Sequence, residues 1–339
     1  MNTQGSTSNP ALSDNFMNLR THYFNVSGKL SLMIALMLSC GMAVAQTPLD
    51  KPSLSDVTLI SPYYFGPNAF AVPEMLDGRV SRDLRVELAG DYFSGYRGDH
   101  TGDISLKVNV PLWTSRANLS LWMPVMEWYR NSDENIAVCR IPKEHQEDAR
   151  KGHLSGDVYV STDIQILKEK RWRPDWVVRA ALKTASGGKY YHARYYDSPG
   201  YFFDTSLGKS FALGHDAKWN HSLRVALSTG FLCWQTDNGR QNDAVQFGAM
   251  MKWENRYFSL AETFAGYSGW EHNAGNGGDE AHDSPMVLRT DLIVHVKQFD
   301  IVAAYQYGLH DYPYHQMRLG VAYRWDILKV KSERVKSEK

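Results

Sequence analysis

The chain has 339 residues, of which 37 are Lys or Arg and 37 are Asp or Glu; this balance excludes the basic excess usual for a nucleic-acid binder. Hydrophobic residues make up 43%, too few for a bundle of membrane-spanning helices. Aromatic residues reach 12%, with 19 Tyr and 10 Trp, as in β proteins and in the aromatic girdles of membrane barrels.

Residues 30–45 read LSLMIALMLSCGMAVA, preceded by Arg20 and Lys29 and followed by Gln46. A basic stretch, a short apolar stretch and the small-x-small site Ala43-Val44-Ala45 make a cleavable export signal, expected to be cut after Ala45. The apolar stretch is short for a membrane span. Residues 1–16 are polar and unlike the start of such a signal, so translation is expected to begin at Met17. A lipoprotein signal at Cys40 competes, but Met37-Leu38-Ser39-Cys40 fits it poorly, with the apolar run continuing past the Cys. Cys139 and Cys233 remain after cleavage. Their spacing suits no metal motif. Export would permit a disulfide between them, and two free thiols are the plainer expectation. Residues 46–82, rich in Pro, Gly and aromatics around Ser61-Pro62-Tyr63-Tyr64-Phe65-Gly66-Pro67-Asn68 and Pro73-Glu74, read as an ordered, irregular segment. It would lie at the periplasmic rim or plug a lumen, the rim being preferred.

From there on the pattern is alternation with period two. Ile104, Leu106, Val108 and Val110 alternate with Ser105, Lys107 and Asn109; Leu288, Thr290, Leu292, Val294 and Val296 alternate with Arg289, Asp291, Ile293, His295 and Lys297. About twelve strands of roughly ten residues follow, the length of a tilted membrane-spanning strand. They lie near 83–94, 103–113, 117–129, 156–168, 175–186, 201–212, 222–235, 243–254, 256–268, 285–297, 299–309 and 316–327. Their connections alternate short and long, as in bacterial membrane barrels. One face of most strands is apolar or aromatic. The other carries charge, and this face, with Glu87, is expected to form a polar lumen: Arg85, Lys107, Asp163, Arg179, Lys183, Arg224, Arg289, Asp291, Arg318 and Arg324. Two strands are ambiguous. Either choice of face exposes an awkward residue such as Glu262 in one, and Pro124 interrupts the other, which should hydrogen-bond on both edges.

Over residues 83–327 the chain resembles bacterial outer-membrane β-barrel proteins. The last strand, Met317 to Ile327 with Tyr323 and Trp325, looks like the aromatic-ended closing strand used by the barrel-assembly machinery; the chain departs from that pattern in the charged tail Lys329 to Lys339. The resemblance implies an all-β, up-and-down antiparallel transmembrane β-barrel of about 12 strands in the bacterial outer membrane. Its domains would be an export signal (1–45), the N-terminal segment (46–82), the barrel (83–328) and the tail (329–339). A porin-like channel or solute-binding role through the polar lumen is expected. Outer-membrane lipids, the assembly machinery and small solutes would be its partners, without cofactor or metal.

A lipid-acting hydrolase is the alternative. Outer-membrane phospholipases and lipid A deacylases carry a His-x-Ser pair near the outer end of a strand, and His153-Leu154-Ser155 is similar, with Asp157 in the same row. On a strand these residues share a face, so the imidazole could activate the hydroxyl; the phospholipase-type pattern continues Asn-Gly, whereas Gly156-Asp157 follows here. A closed structural or surface-binding barrel and a soluble periplasmic β protein also remain. The loop holding His272, Asp279, Glu280, His282 and Asp283 has oxygen and imidazole donors for a divalent cation, although solvation is the plainer reading. His310 to His315 reads as a turn carrying interfacial aromatics. The loop Lys189 to Tyr201, with Arg194, reads first as interfacial tyrosines, and second as a sugar or headgroup contact.

Overall fold

The computed structural model describes residues 62–112, 116–139, 141, 143–190, 194–195, 199–213, 220–235, 241–270 and 282–326. The expected export signal with Cys40, the charged tail and His272, Asp279 and Glu280 lie outside the described residues. No helix among the described residues is long and apolar enough to cross a membrane.

Alternation becomes strand throughout. The strands are β1 (Leu84–Gly95), β2 (His100–Pro111), β3 (Ala117–Arg130), β4 (Lys151–Leu154), β5 (Tyr159–Leu167), β6 (Asp175–Lys183), β7 (Lys189–Tyr190), β8 (Arg194–Tyr195), β9 (Gly200–Ala212), β10 (Ser222–Gln235), β11 (Gln241–Glu254), β12 (Phe258–Gly269), β13 (Met286–Val296), β14 (Phe299–His310) and β15 (Tyr314–Trp325). Neighbours pair antiparallel, and β1 pairs with β2 on one edge and with β15 on the other, which closes the sheet. The result is a twelve-stranded up-and-down barrel of β1, β2, β3, β5, β6 and β9 to β15, with β4 extending the β3 edge above β5. Closure leaves no open edge for another chain to pair with. A strand of about 12 residues at ~3.4 Å each, tilted ~40°, rises about 30 Å, the thickness of a bilayer's hydrocarbon core.

The faces sort as in a membrane barrel. Every one of the twelve strands shows a large apolar residue on its outside, among them Leu88, Ile104, Leu119, Ile164, Leu182, Leu207, Leu227, Val245, Phe264, Leu292, Ile301 and Leu319. Asp91, Asp103, Asn118, Asp163, Arg179, Asp204, Arg224 and Gln316 are buried. A soluble sandwich would show the reverse.

The two ambiguous strands resolve physically. Pro124 lacks the N–H that the β2 ladder needs, and the β2–β3 register shifts there, Ser105 facing Pro124 while Ile104 faces Met126. On the other edge β4 and β5 stop on either side of it, leaving residues 155–158 with the Gly156 N–H to Pro124 carbonyl bond of 2.9 Å. The strand expected at 156–168 therefore starts later, as Tyr159–Leu167, and the short β4 (Lys151–Leu154) precedes it in an expected long connection. On β12, Glu262 takes the outer face, where the Thr290 hydroxyl of β13 donates to it at 2.6 Å.

Candidate functional site in the barrel lumen

Residues 62–83 run inside the barrel, not along its rim. The segment enters at the loop end, where the Tyr314 hydroxyl lies 3.4 Å from the Pro62 carbonyl and the Tyr312 hydroxyl donates to that of Pro67 at 3.3 Å. It leaves at the turn end, where Arg79 pairs with Glu254 of β11 at 2.8 Å and Val80 N–H donates to Gln165 of β5 at 3.1 Å. Glycines make the close approaches. Gly66 (φ +94) lies so near Arg194 that a Cβ would stand 2.5 Å from its Cδ. Gly78 (φ +86) crosses β9 at Gly208, where a Cβ on Gly208 would stand 2.1 Å from the Asp77 carbonyl. Both positive angles suit glycine and penalise other residues.

Between these ends polar side chains hold the segment. Asn68 donates to Asp103 and to Glu127 at 2.8 Å each. Glu74 receives Lys107 at 2.6 Å, Arg318 at 2.9 Å and Arg289 at 3.3 Å. Arg179 donates to the Glu74 carbonyl at 2.9 Å, pairs with Asp204 at 2.5 Å and lies over the Phe202 ring at 4.8 Å. Arg224 reaches the Asp77 carbonyl at 2.8 Å and Asp175 at 2.9 Å. Beside the segment a cavity of about 250 Å³ remains, walled by Asp103, Lys107, Ser120, Trp122, Asp163 and Tyr159.

The other residues expected in the lumen divide by depth. Arg289 also pairs with Asp291 at 2.9 Å and Arg318 with Asp91 at 2.7 Å. Asp163 is buried beside Ser161. At the turn end Arg324 pairs with Asp300 at 2.9 Å and Arg85 with Glu87 at 2.5 Å. At the loop end Lys183 is fully buried against Asp157 at 2.9 Å.

No protein-family model matches the sequence, and no curated protein does. Among solved structures, an outer-membrane channel from Pseudomonas putida F1 is similar with a TM-score of 0.51 at 10% identity, over 83% of this chain and 100% of that one. The KdgM porin (TM-score 0.42, 9% identity, 71% and 98% covered) and the NanC porin (TM-score 0.42, 15% identity, 70% and 98% covered) are more distant. This chain has the closed-barrel fold of that outer-membrane channel.

In this barrel the hydrolase row does not assemble. His153 is on the exposed face of β4, opposite Trp128. β4 ends at Leu154, so Ser155 is off the strand. Asp157 faces inward to Lys183 and accepts the backbone N–H groups of Ser186 and Gly187. The break opposite Pro124 turns these residues apart.

The loop readings change too. Tyr312 and Tyr314 are buried inside the loop end, not interfacial, and both hold the N-terminal segment. Asp311, at positive φ, turns the chain so that they point inward. His282 binds Asp311 at 2.9 Å, and the Ser284 N–H donates to the same carboxylate at 3.1 Å. Burial opposes ionisation of Asp311, but hydrogen bonds and charge from His282 and His310 outweigh it and hold the carboxyl well below the usual range. No cluster of three metal-ligating groups occurs among the described residues. Arg194 is no surface cation: it is buried between Asp99 at 2.6 Å and Glu127 at 2.8 Å. Its neighbouring loop tyrosines lie largely outside the described residues. No disulfide joins Cys139 to Cys233, and burial with Asp99 nearby pushes the Cys139 thiol up to about 12.

Sequence reasoning missed Glu74, Asp77 and Asn68 as lumen residues. A signal existed. The residues assigned to the lumen by alternation were mostly cations, and buried cations need carboxylates. Pro73-Glu74 and Asp77, just upstream of the barrel, supply them.

Proposed function

We propose that this protein is an outer-membrane channel for small solutes whose lumen is closed by its own N-terminal segment. The observation that carries this reading is the contrast along the segment: Ala69 and Phe70 are anchored in an apolar cluster with Tyr159, Phe202, Trp234 and Tyr267 near the loop end, whereas the stretch around Glu74 is held by ion pairs beside an open cavity. Glu74 is 41% exposed, and pairs of that exposure are worth about 1 kcal/mol or less each and are screened by salt. The stretch around Glu74 can therefore shift at modest cost while the Phe70 anchor and the hydrogen-bonded wall stay intact. The apolar outer face and the aromatic closing strand support embedding in outer-membrane lipids and insertion by the assembly machinery.

Recording from planar bilayers tests this. A variant lacking residues 62–80, with the export signal retained and folding checked by gel mobility, should conduct in steps several-fold larger than the full chain. If it folds and does not conduct, the closed structural barrel is the correct reading.

A further inference from the structure

We propose that Lys107, Arg289 and Arg318, together with the rings of Trp122 and Tyr159, form a binding site for small organic acids with a flat apolar body, and that Glu74 is its tethered occupant. The inference deepens the channel reading and rests on it for how the acid arrives.

The three cations converge on one carboxylate from one arc of the barrel wall, β13, β15 and β2, with β14 and β1 between them. That carboxylate belongs to no barrel strand. Arg289 and Arg318 keep Asp291 and Asp91 as second partners, whereas the one ion pair of Lys107 among the described residues is with Glu74. Moving Glu74 away thus leaves Lys107 without its ion-pair partner, since Glu87 opposite it on β1 is paired with Arg85, and a solute carboxylate in its place restores the pair. Three cations converging on one point favour an anionic occupant over a neutral solute.

The apolar half of the site stands beside the charged half. Lys107 faces Trp122 directly across β2 and β3, and Trp122 faces Tyr159 across β3 and β5. Directly opposed side chains lie about 5 Å apart and touch the same ligand. The two rings are stacked, 5.0 Å between centroids and 14° between planes, and all three residues line the cavity of about 250 Å³. That volume is near the lower end of small-ligand sites, ~300–1,000 Å³. A carboxylate on Lys107 therefore places an attached planar body against the Trp122–Tyr159 wall.

Equilibrium dialysis of labelled benzoate against detergent-purified full chain tests the site, with benzamide as its neutral isostere. A tethered ligand competes at millimolar effective concentration, so Glu74→Gln should bind benzoate about tenfold more tightly than wild type. Adding Lys107→Met should abolish that gain, and Trp122→Ala should reduce it while leaving the anion preference of the Glu74→Gln pore. Benzamide should not bind. In the wild-type background Lys107→Met should remove the weak benzoate binding, a reading that does not depend on the Glu74 variant folding. Equal benzoate binding by wild type and folded Glu74→Gln, or equal binding of benzamide and benzoate, overturns the proposal. A protein that prefers benzoate but never conducts keeps the site and loses the channel; one that conducts without the preference does the opposite.

Discussion

Arg194→Ala is expected to destabilise the barrel more than removal of any single lumen charge near Glu74. Arg194 is 1% exposed and bridges Asp99 of the β1–β2 connection and Glu127 of β3. It also donates to Thr101 at 2.5 Å and lies over the Tyr129 ring at 4.6 Å. Truncation leaves two buried carboxylates without their cation, a change that costs about 3–5 kcal/mol. It also loosens the entry of the N-terminal segment, since Asn68 hydrogen-bonds Glu127 and the Tyr314 hydroxyl donates to Asp99. The measurement is the temperature at which the folded band disappears on a detergent gel. A large drop that high salt does not reproduce in the wild type is expected, because buried pairs are poorly screened. A negligible shift would mean that the loop end is held by other contacts.

Leu319→Arg separates a lipid-facing wall from a water-facing one. Leu319 is 67% exposed, near the middle of β15 between Gly90 of β1 and Ala303 of β14. An arginine at the bilayer midplane costs about 2–4 kcal/mol, falling to ~0–1 kcal/mol near the interfaces. Trp325, at the end of the same strand, is the control, and its replacement by Arg should cost far less. Urea unfolding in lipid vesicles measures both. In a water-facing sheet an exposed Leu→Arg change stays within about 0.5 kcal/mol, so two small and equal effects would remove the membrane interpretation.

What could be read in the sequence depended on how local its cause was. The alternation of Leu288 to Val296 needs only neighbouring residues, and it appears as β13 within a residue or two of its expected limits. The Ser222–Gln235 strand coincides with its expected bounds for the same reason. Pro124 announced a defect without saying which edge would yield, and both did. The N-terminal segment has no period to read. Its partners are remote: Asp103 for Asn68, Glu254 for Arg79, Arg318 for Glu74. Local composition therefore favoured a rim. Arg194 and Tyr314 misled in the same way, since each sits in an aromatic-rich loop whose chemistry suits an interface, and each is turned inward by a carboxylate on another connection. The hydrolase row failed on geometry, because the shared face of residues 153, 155 and 157 requires an unbroken strand.

The most direct test of the account is the gel mobility of the membrane fraction, with and without boiling in detergent. A closed barrel keeps its fold in detergent because each strand is hydrogen-bonded on both edges. The account predicts a folded band from the unboiled outer-membrane fraction that converts to a separate unfolded band on boiling. A single unshifted band, recovered in the soluble periplasmic extract, would contradict it.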